Sequence, residues 1–352
     1  MSLTLLSKKY ISYAGLVISL LVINARPIFA QLDYRMTQFY QNPLPVNPAF
    51  SGIEDFVDVK VGYKMQWAGF DNSPTYLIGS ANLAFKISPN NDYKHKGIRL
   101  FETEAYNSIE NDDGFGFRKS KRHGAGIYVM QNSDGGFQNT GAFLNYAYHI
   151  NLTNQLVWSV GAGVGYEFNK FDPSGVSVLY PDTDPIYQAY LQGDNQKSSV
   201  DFNLGTVIYH KQFFLGYSVL NSAKLLFEGS NTEFNNLANP LTHNIQFGFH
   251  YRKWRYGYLI SPLLIFNMRR DQPIEVIGAL RVRYHDKVWG GIQYTLLGGV
   301  GFSAGFYLTH NVSLNYGYEF PTSKINRVSA GSHEVVLGFK LNNKNYSRAY
   351  LY

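Results

Sequence analysis

The chain contains no cysteine. That absence excludes a thiol nucleophile, Cys-ligated zinc, an iron–sulfur cluster and a disulfide framework. Charge is also scarce: Asp, Glu, Lys and Arg make up 16% of the 352 residues, against about 25% in an average domain. Hydrophobic residues stand at 45%, near the soluble average, which argues against a helical membrane bundle. The Ala, Glu, Lys and Leu richness of a coiled coil is missing too. What is abundant is aromatic: 28 Tyr, 25 Phe and 4 Trp, accompanied by 33 Gly. Many aromatics with little charge exclude disorder as the main state.

The start carries Lys8 and Lys9, then an apolar stretch from Ile11 to Ile23, and Ala30 in the place of a last removed residue. This is the pattern of a signal peptide over residues 1–30, too short for a comfortable membrane span. Ile28 stands where a small residue is usual. Residues 1–30 hold Lys8, Lys9 and Arg26 and no acid, so their removal lowers the net charge from +6 to +3. A single basic run, Arg118 to Arg122, is left. A nucleic-acid partner needs a larger basic face, so none is expected.

From residue 56 the governing pattern is alternation. Leu156, Trp158, Val160, Ala162, Val164, Tyr166 and Phe168 share one face; Val157, Ser159, Gly161, Gly163, Gly165 and Glu167 share the other. Side chains alternate across a strand, so each such run reads as β. Fourteen candidate strands follow: 56–67, 74–87, 123–131, 139–150, 155–168, 200–210, 212–221, 242–252, 256–267, 274–286, 288–298, 300–310, 312–320 and 332–341. Most exceed the ordinary length of about 5–6 residues and suit a tilted membrane strand of about 9–11. Trp67, Tyr148, Phe168, Tyr209, Tyr251, Tyr284, Tyr318 and Phe320 fall near strand ends, where aromatic girdles belong. Alternate connections are short on one side and long on the other, which is the asymmetry of outer-membrane barrels. The fold class expected is all-β: a transmembrane antiparallel up-and-down β-barrel of about 14 strands over 56–341.

Three segments stand outside that pattern. The connection 88–122 is long and charged, and reads as a mostly flexible insertion or a small folded piece. Residues 31–55 are Pro-rich, with Asn42-Pro43 and Asn47-Pro48, and suit a lumen plug or a periplasmic lid rather than a strand. Residues 342–352 form a C-terminal tail.

No catalytic or cofactor motif emerges. The nine His show no HExxH or other metal spacing, and no GxSxG or Walker loop occurs. Gly161, Gly163 and Gly165 sit inside an alternating strand and suit a crowded lumen better than a dinucleotide loop. The expectation is a non-enzyme with no cofactor, no metal and no catalytic residues.

Two stretches resemble a known family. Gln41 to Gly52 (QNPLPVNPAFSG) and Gln66 to Pro74 (QWAGFDNSP) are similar to the motifs of the PorP/SprF family, the outer-membrane barrels of the Bacteroidetes type IX secretion and gliding machinery. Ser261-Pro262, Asp286 to Gly291, Asn315 to Tyr318 and Gly331-Ser332-His333-Glu334 add weaker matches. The resemblance runs over about 31–341. The 88–122 connection is longer than usual for the family, and Tyr316-Gly317-Tyr318-Glu319 replaces a more frequent ending in Asp. The resemblance implies an outer-membrane component that helps to secrete or attach particular cargo, with the type IX machinery, cargo carrying C-terminal targeting domains and membrane lipid as partners. Asn42, Pro43, Asn47, Pro48, Gly52, Gln66, Trp67, Gly69, Phe70, Pro74, His333 and Glu334 carry over as motif residues, for fold or for partner contact. A passive or ligand-specific transport porin is the alternative reading, and a soluble exported β-protein is a third.

Overall fold

In the computed structural model, the residues described are 38–54, 56–69, 72–87, 98–100, 122–153, 155–172, 180, 182–183, 188, 196–227, 241–253, 257–270, 272–296, 298–322 and 327–342. Residues 1–30, expected from the sequence to be a signal peptide, Phe70, most of 88–122 and the tail from 343 lie outside them.

The alternating runs form strands of one antiparallel sheet. In chain order they are β1 (Val57–Met65), β2 (Thr75–Ile87), β3 (Ile98–Leu100), β4 (Arg122–Asp134), β5 (Phe137–Asn151), β6 (Leu156–Phe171), β7 (Gln196–His210), β8 (Phe213–Phe227), β9 (Thr242–Phe249), β10 (Tyr251–Lys253), β11 (Tyr258–Arg269), β12 (Glu275–Tyr284), β13 (Val288–Thr295), β14 (Gly299–Tyr307), β15 (Val312–Pro321) and β16 (Ser332–Leu341). Each long strand pairs with its sequence neighbours, and β1 pairs with β16 from Val57↔Leu341 to Met65↔His333, which closes the sheet into a 14-stranded barrel. Closure removes every open edge along the paired length.

Two short strands complete the count. β3 pairs with the end of β2 at Phe85 to Ile87, so three residues of the 88–122 insertion add to the sheet. β9 and β10 keep one register against β11 and are parted at His250. In that register Ser261 falls opposite His250 and Pro262 beside it, opposite Phe249, with no N–H to give to the ladder.

The period-two pattern has a simple outcome. The apolar rows point outward: Val61, Leu144, Val160, Leu204, Phe247, Leu264 and Phe302 are all exposed, Leu144 at 59%. The small and polar rows point inward: Asn82, Asn145, Ser159, Asn203, Gln246, Asn315 and Glu334 are all buried. An apolar exterior with a polar interior is the arrangement of a membrane barrel. Tyr209 departs from the girdle expected of it: it is fully buried and faces the lumen. The chain passes from β4 to β5, β6 to β7, β8 to β9, β11 to β12, β13 to β14 and β15 to β16 at the end of the sheet that holds the 66–74 turn, and between the other consecutive long strands at the opposite end. Among the latter, His285 and Asp286 both take positive φ (47° and 52°) in the turn that Lys287 N closes by donating to Tyr284 O at 3.0 Å.

Candidate functional site

The lumen is filled by the chain's own N-terminal segment. Residues 38–54 lie inside the barrel, almost all buried. Phe39, Tyr40, Phe50, Ile53 and Phe56 pack with Val157, Val207, Tyr209, Phe214, Leu263 and Ile265 from the inner wall. Phe50 meets Phe214 edge-on at 5.6 Å between ring centroids. Leu44 fits a second cluster with Tyr76, Ile78, Tyr128 and Phe143. Each large apolar side chain buried contributes about 1.5–3 kcal/mol. The plug residues Phe39, Tyr40, Leu44, Phe50 and Ile53, with Phe56 just beyond them, therefore contribute on the order of 10 kcal/mol before ordering costs.

Irregular backbone at membrane depth needs partners for its polar groups. Here the wall supplies them from polar inward side chains. Ser218 Oγ donates to Val46 O at 2.6 Å, Ser159 Oγ to Ala49 O at 2.8 Å, and Arg122 Nη2 to Ile53 O at 2.6 Å. Asn82 Oδ1 accepts from Gly52 N at 2.6 Å. His149 Nε2 donates to Ser51 O at 2.7 Å while its Nδ1 accepts from Tyr209 OH at 2.9 Å, so both contacts require one tautomer. Tyr40 OH donates to Ser261 O at 2.8 Å. The Arg281 guanidinium sits 4.4 Å over the Tyr40 ring.

The first family-like stretch makes this plug. Pro43 O accepts from both Val46 N and Asn47 N, so the proline-bearing segment turns on itself. Asn42 N donates to Phe39 O at 3.1 Å. Asn47 caps the 3-10 turn Pro48–Phe50: its Oδ1 accepts from Ala49 N at 2.9 Å, and Pro48 opens the turn where no N–H is needed. The other side of the Asn47 amide reaches the wall, with Nδ2 3.0 Å from Gln246 Oε1. Gly52 takes φ +70° and lies against Gly124 of β4, leaving no space for a side chain on either.

The second stretch makes the seam. Gln66 N donates to Pro74 O at 2.7 Å and Ser73 Oγ to Trp67 O at 3.1 Å, which closes the 66–74 turn. Trp67 N then reaches Ser332 Oγ at 3.2 Å. Ala68 and the Ala330–Gly331 pair exchange backbone bonds of 2.7 Å. Gly69 takes φ +108° beside Ala330. His333 and Glu334 lie opposite Met65 and Lys64 in the β1–β16 pairing, and the His333 ring contacts Tyr316 OH at 2.7 Å on the outer face. Glu334 points inward and is buried. The structure thus joins Gln66, Trp67, Gly69, Pro74, His333 and Glu334 at the closure of the barrel, and Asn42, Pro43, Asn47, Pro48 and Gly52 within it.

The sequence reading set Gly161 toward a crowded lumen but did not single out Gly124 or Gly205 as part of the cradle that receives the plug. Gly124, Gly161 and Gly205 face inward on β4, β6 and β7, where added side chains would collide with Ser51, Ala49 and Asn47. The signal was available: these glycines fall on the polar face of three alternating strands. Charged lumen residues form a further group near the plug's end. Asp58 pairs with Lys60, and Lys340 lies over the rings of Tyr307 and Phe56 at 4.4 and 5.0 Å. Between the plug and β11–β14 a space of about 30 Å³ remains, bordered by Gln38, Tyr40, Arg281, Trp289 and Gln293, enough for water but not for a substrate. Among the described residues, no group of three metal-ligating side chains occurs.

A family model described as Type IX secretion system membrane protein PorP/SprF matches residues 28–339. Among curated proteins none matches. Solved structures with similar folds include the outer membrane protein Omp33 of Acinetobacter baumannii, 7% identical with a TM-score of 0.43 over 83% of this chain and 100% of that one. The Pseudomonas putida toluene transporter TodX is 10% identical with a TM-score of 0.42 over 88% and 95%. The Salmonella typhi outer membrane phospholipase is 9% identical with a TM-score of 0.33 over 82% and 91%.

Proposed function

The chain belongs to the PorP/SprF family of type IX secretion system membrane proteins, and from that premise we propose that it is a plugged outer-membrane barrel assisting secretion or surface attachment of particular cargo proteins. The observation that carries this reading is the occupied lumen: residues 38–54 are packed and bonded to the wall across β2, β4–β9 and β11. A barrel so filled is suited to hold a surface at the membrane, not to pass solutes. It works without bond-breaking chemistry, and leaves transport to the rest of the machinery. Cargo with C-terminal targeting domains is its partner class. Residues 1–30 are its signal peptide, removed on export. In its native host, deletion followed by surface proteomics tests the reading. The expected result is loss of a subset of secreted proteins from surface or medium; an unchanged surface would overturn it.

A further inference from the structure

The plug is an arch, and both of its legs stand at one end of the barrel. On the first leg, Tyr40 bonds Ser261, the fourth residue of β11, and Gln41 Nε2 donates at 2.8 Å to Asn315 Oδ1, on the fourth residue of β15. The crown is Leu44, in the cluster with Tyr76 and Ile78 near the start of β2. The second leg descends past Ser159 and His149 to Arg122, the first residue of β4. The crown thus lies toward the 66–74 turn and the legs lie away from it. The legs' end carries the tight turns 285–287 and 308–311, which outer-membrane barrels face to the periplasm. An arch so placed leaves through that mouth without threading a free end through the bore.

Its attachments suit release. The chain has no cysteine, so no disulfide fixes plug to wall. The wall side chains Ser218, Ser159, Arg122, His149 and Asn82 hold it by its main chain. Among the described residues, Gln38 Nε2, Gln41 Oε1, Asn42 Nδ2 and Ser51 Oγ are buried without a hydrogen-bond partner, as are both amide atoms of Asn145 on the wall. Leaving such atoms unmade opposes the seated state, and water satisfies them once the arch is out. The wall behind it is polar already.

One charge holds the arch in. Glu54 is the only charged residue in 38–54. It is buried and within electrostatic reach of Lys60 on β1, Arg281 on β12 and Lys340 on β16, all buried as well. Neutralising one member of a buried ionic group leaves the others uncompensated and away from water, so the Glu54 carboxylate favours the seated arch. Withdrawal hydrates the whole group. We propose that the 38–54 arch is a withdrawable stopper, latched by Glu54, which leaves the bore on the periplasmic side and reseats there. The device goes beyond the cargo-handling reading: it lets a barrel that is closed at rest open while it works.

Planar-bilayer recording on the purified full-length protein tests it. Glu54→Gln should open about tenfold more often than the parent protein, because the latch has lost its charge. In that background Ala49→Cys and Ser159→Cys, at positions joined by a 2.8 Å bond, are linked by a disulfide, or by a short bis-maleimide where no disulfide forms. The link should abolish the openings, and reducing the disulfide should restore them. Openings that persist in the linked protein would overturn the proposal, and so would a Glu54→Gln protein as silent as the parent. Glu54→Asp takes its place, with the same readings, where Glu54→Gln does not fold. In the host, the linked protein should fail to display cargo; display equal to that of the parent would overturn a working role for withdrawal. That second arm rests on the cargo-handling reading and the bilayer arm does not, so a deletion without effect on display fails that reading alone.

Discussion

At the scale of single residues, the plug depends on contacts with no slack. Asn47 bonds Ala49 on one side of its amide and Gln246 on the other, so Asn47→Ala removes a cap and orphans a buried amide together. Such losses cost about 1–3 kcal/mol each, and the unfolding midpoint of the detergent-solubilised protein in urea should fall accordingly. Gly161 offers a sharper contrast. A Cβ there would sit 2.5 Å from Ala49 N, whereas one on outward-facing Gly79 meets nothing within 4 Å. Gly161→Val should displace the plug and leave the barrel folded, read as faster labelling of a cysteine placed at Ala49; Gly79→Ala should leave that rate unchanged. Labelling that is equally slow in both would contradict the packing described. Tyr209 shows what alternation hides at this scale: an aromatic near a strand end suits a girdle, yet its parity sets it on the lumen face beside His149.

At the scale of elements, the closure between β1 and β16 is extended past the strands by the bonds joining Ala68 to Ala330 and Gly331. Gly331 holds φ +86° and its side-chain position is taken by the Tyr318 ring. Gly331→Val should therefore loosen the seam and lower the temperature at which the folded band on a detergent gel converts to the unfolded one. Gly290→Ala, on the open outer face, should not. The strands themselves were legible because alternation persists for longer than an ordinary strand, and each of the fourteen expected runs overlaps an observed one. The top of β8 was not legible. The expected strand stops at Asn221 and Ser222 reads as the start of a loop, yet the strand resumes after them because a bulge lets it stay on β7. The place of the Pro-rich segment was equally open, since its prolines fit a plug or a lid; the deciding partners, such as Ser159, Ser218 and Gln246, are far away in sequence and touch it only once the barrel closes.

At the scale of the whole molecule, the family motifs occupy two structural tasks, filling the lumen and closing the wall. A lumen packed in this way should carry no current, while a protein lacking residues 38–54 should present a polar, open bore. Reconstitution of both forms into planar bilayers is the most direct test. The account predicts silence from the full-length protein and stable conductance steps from the shortened one. Large, steady channels from the full-length protein would contradict it.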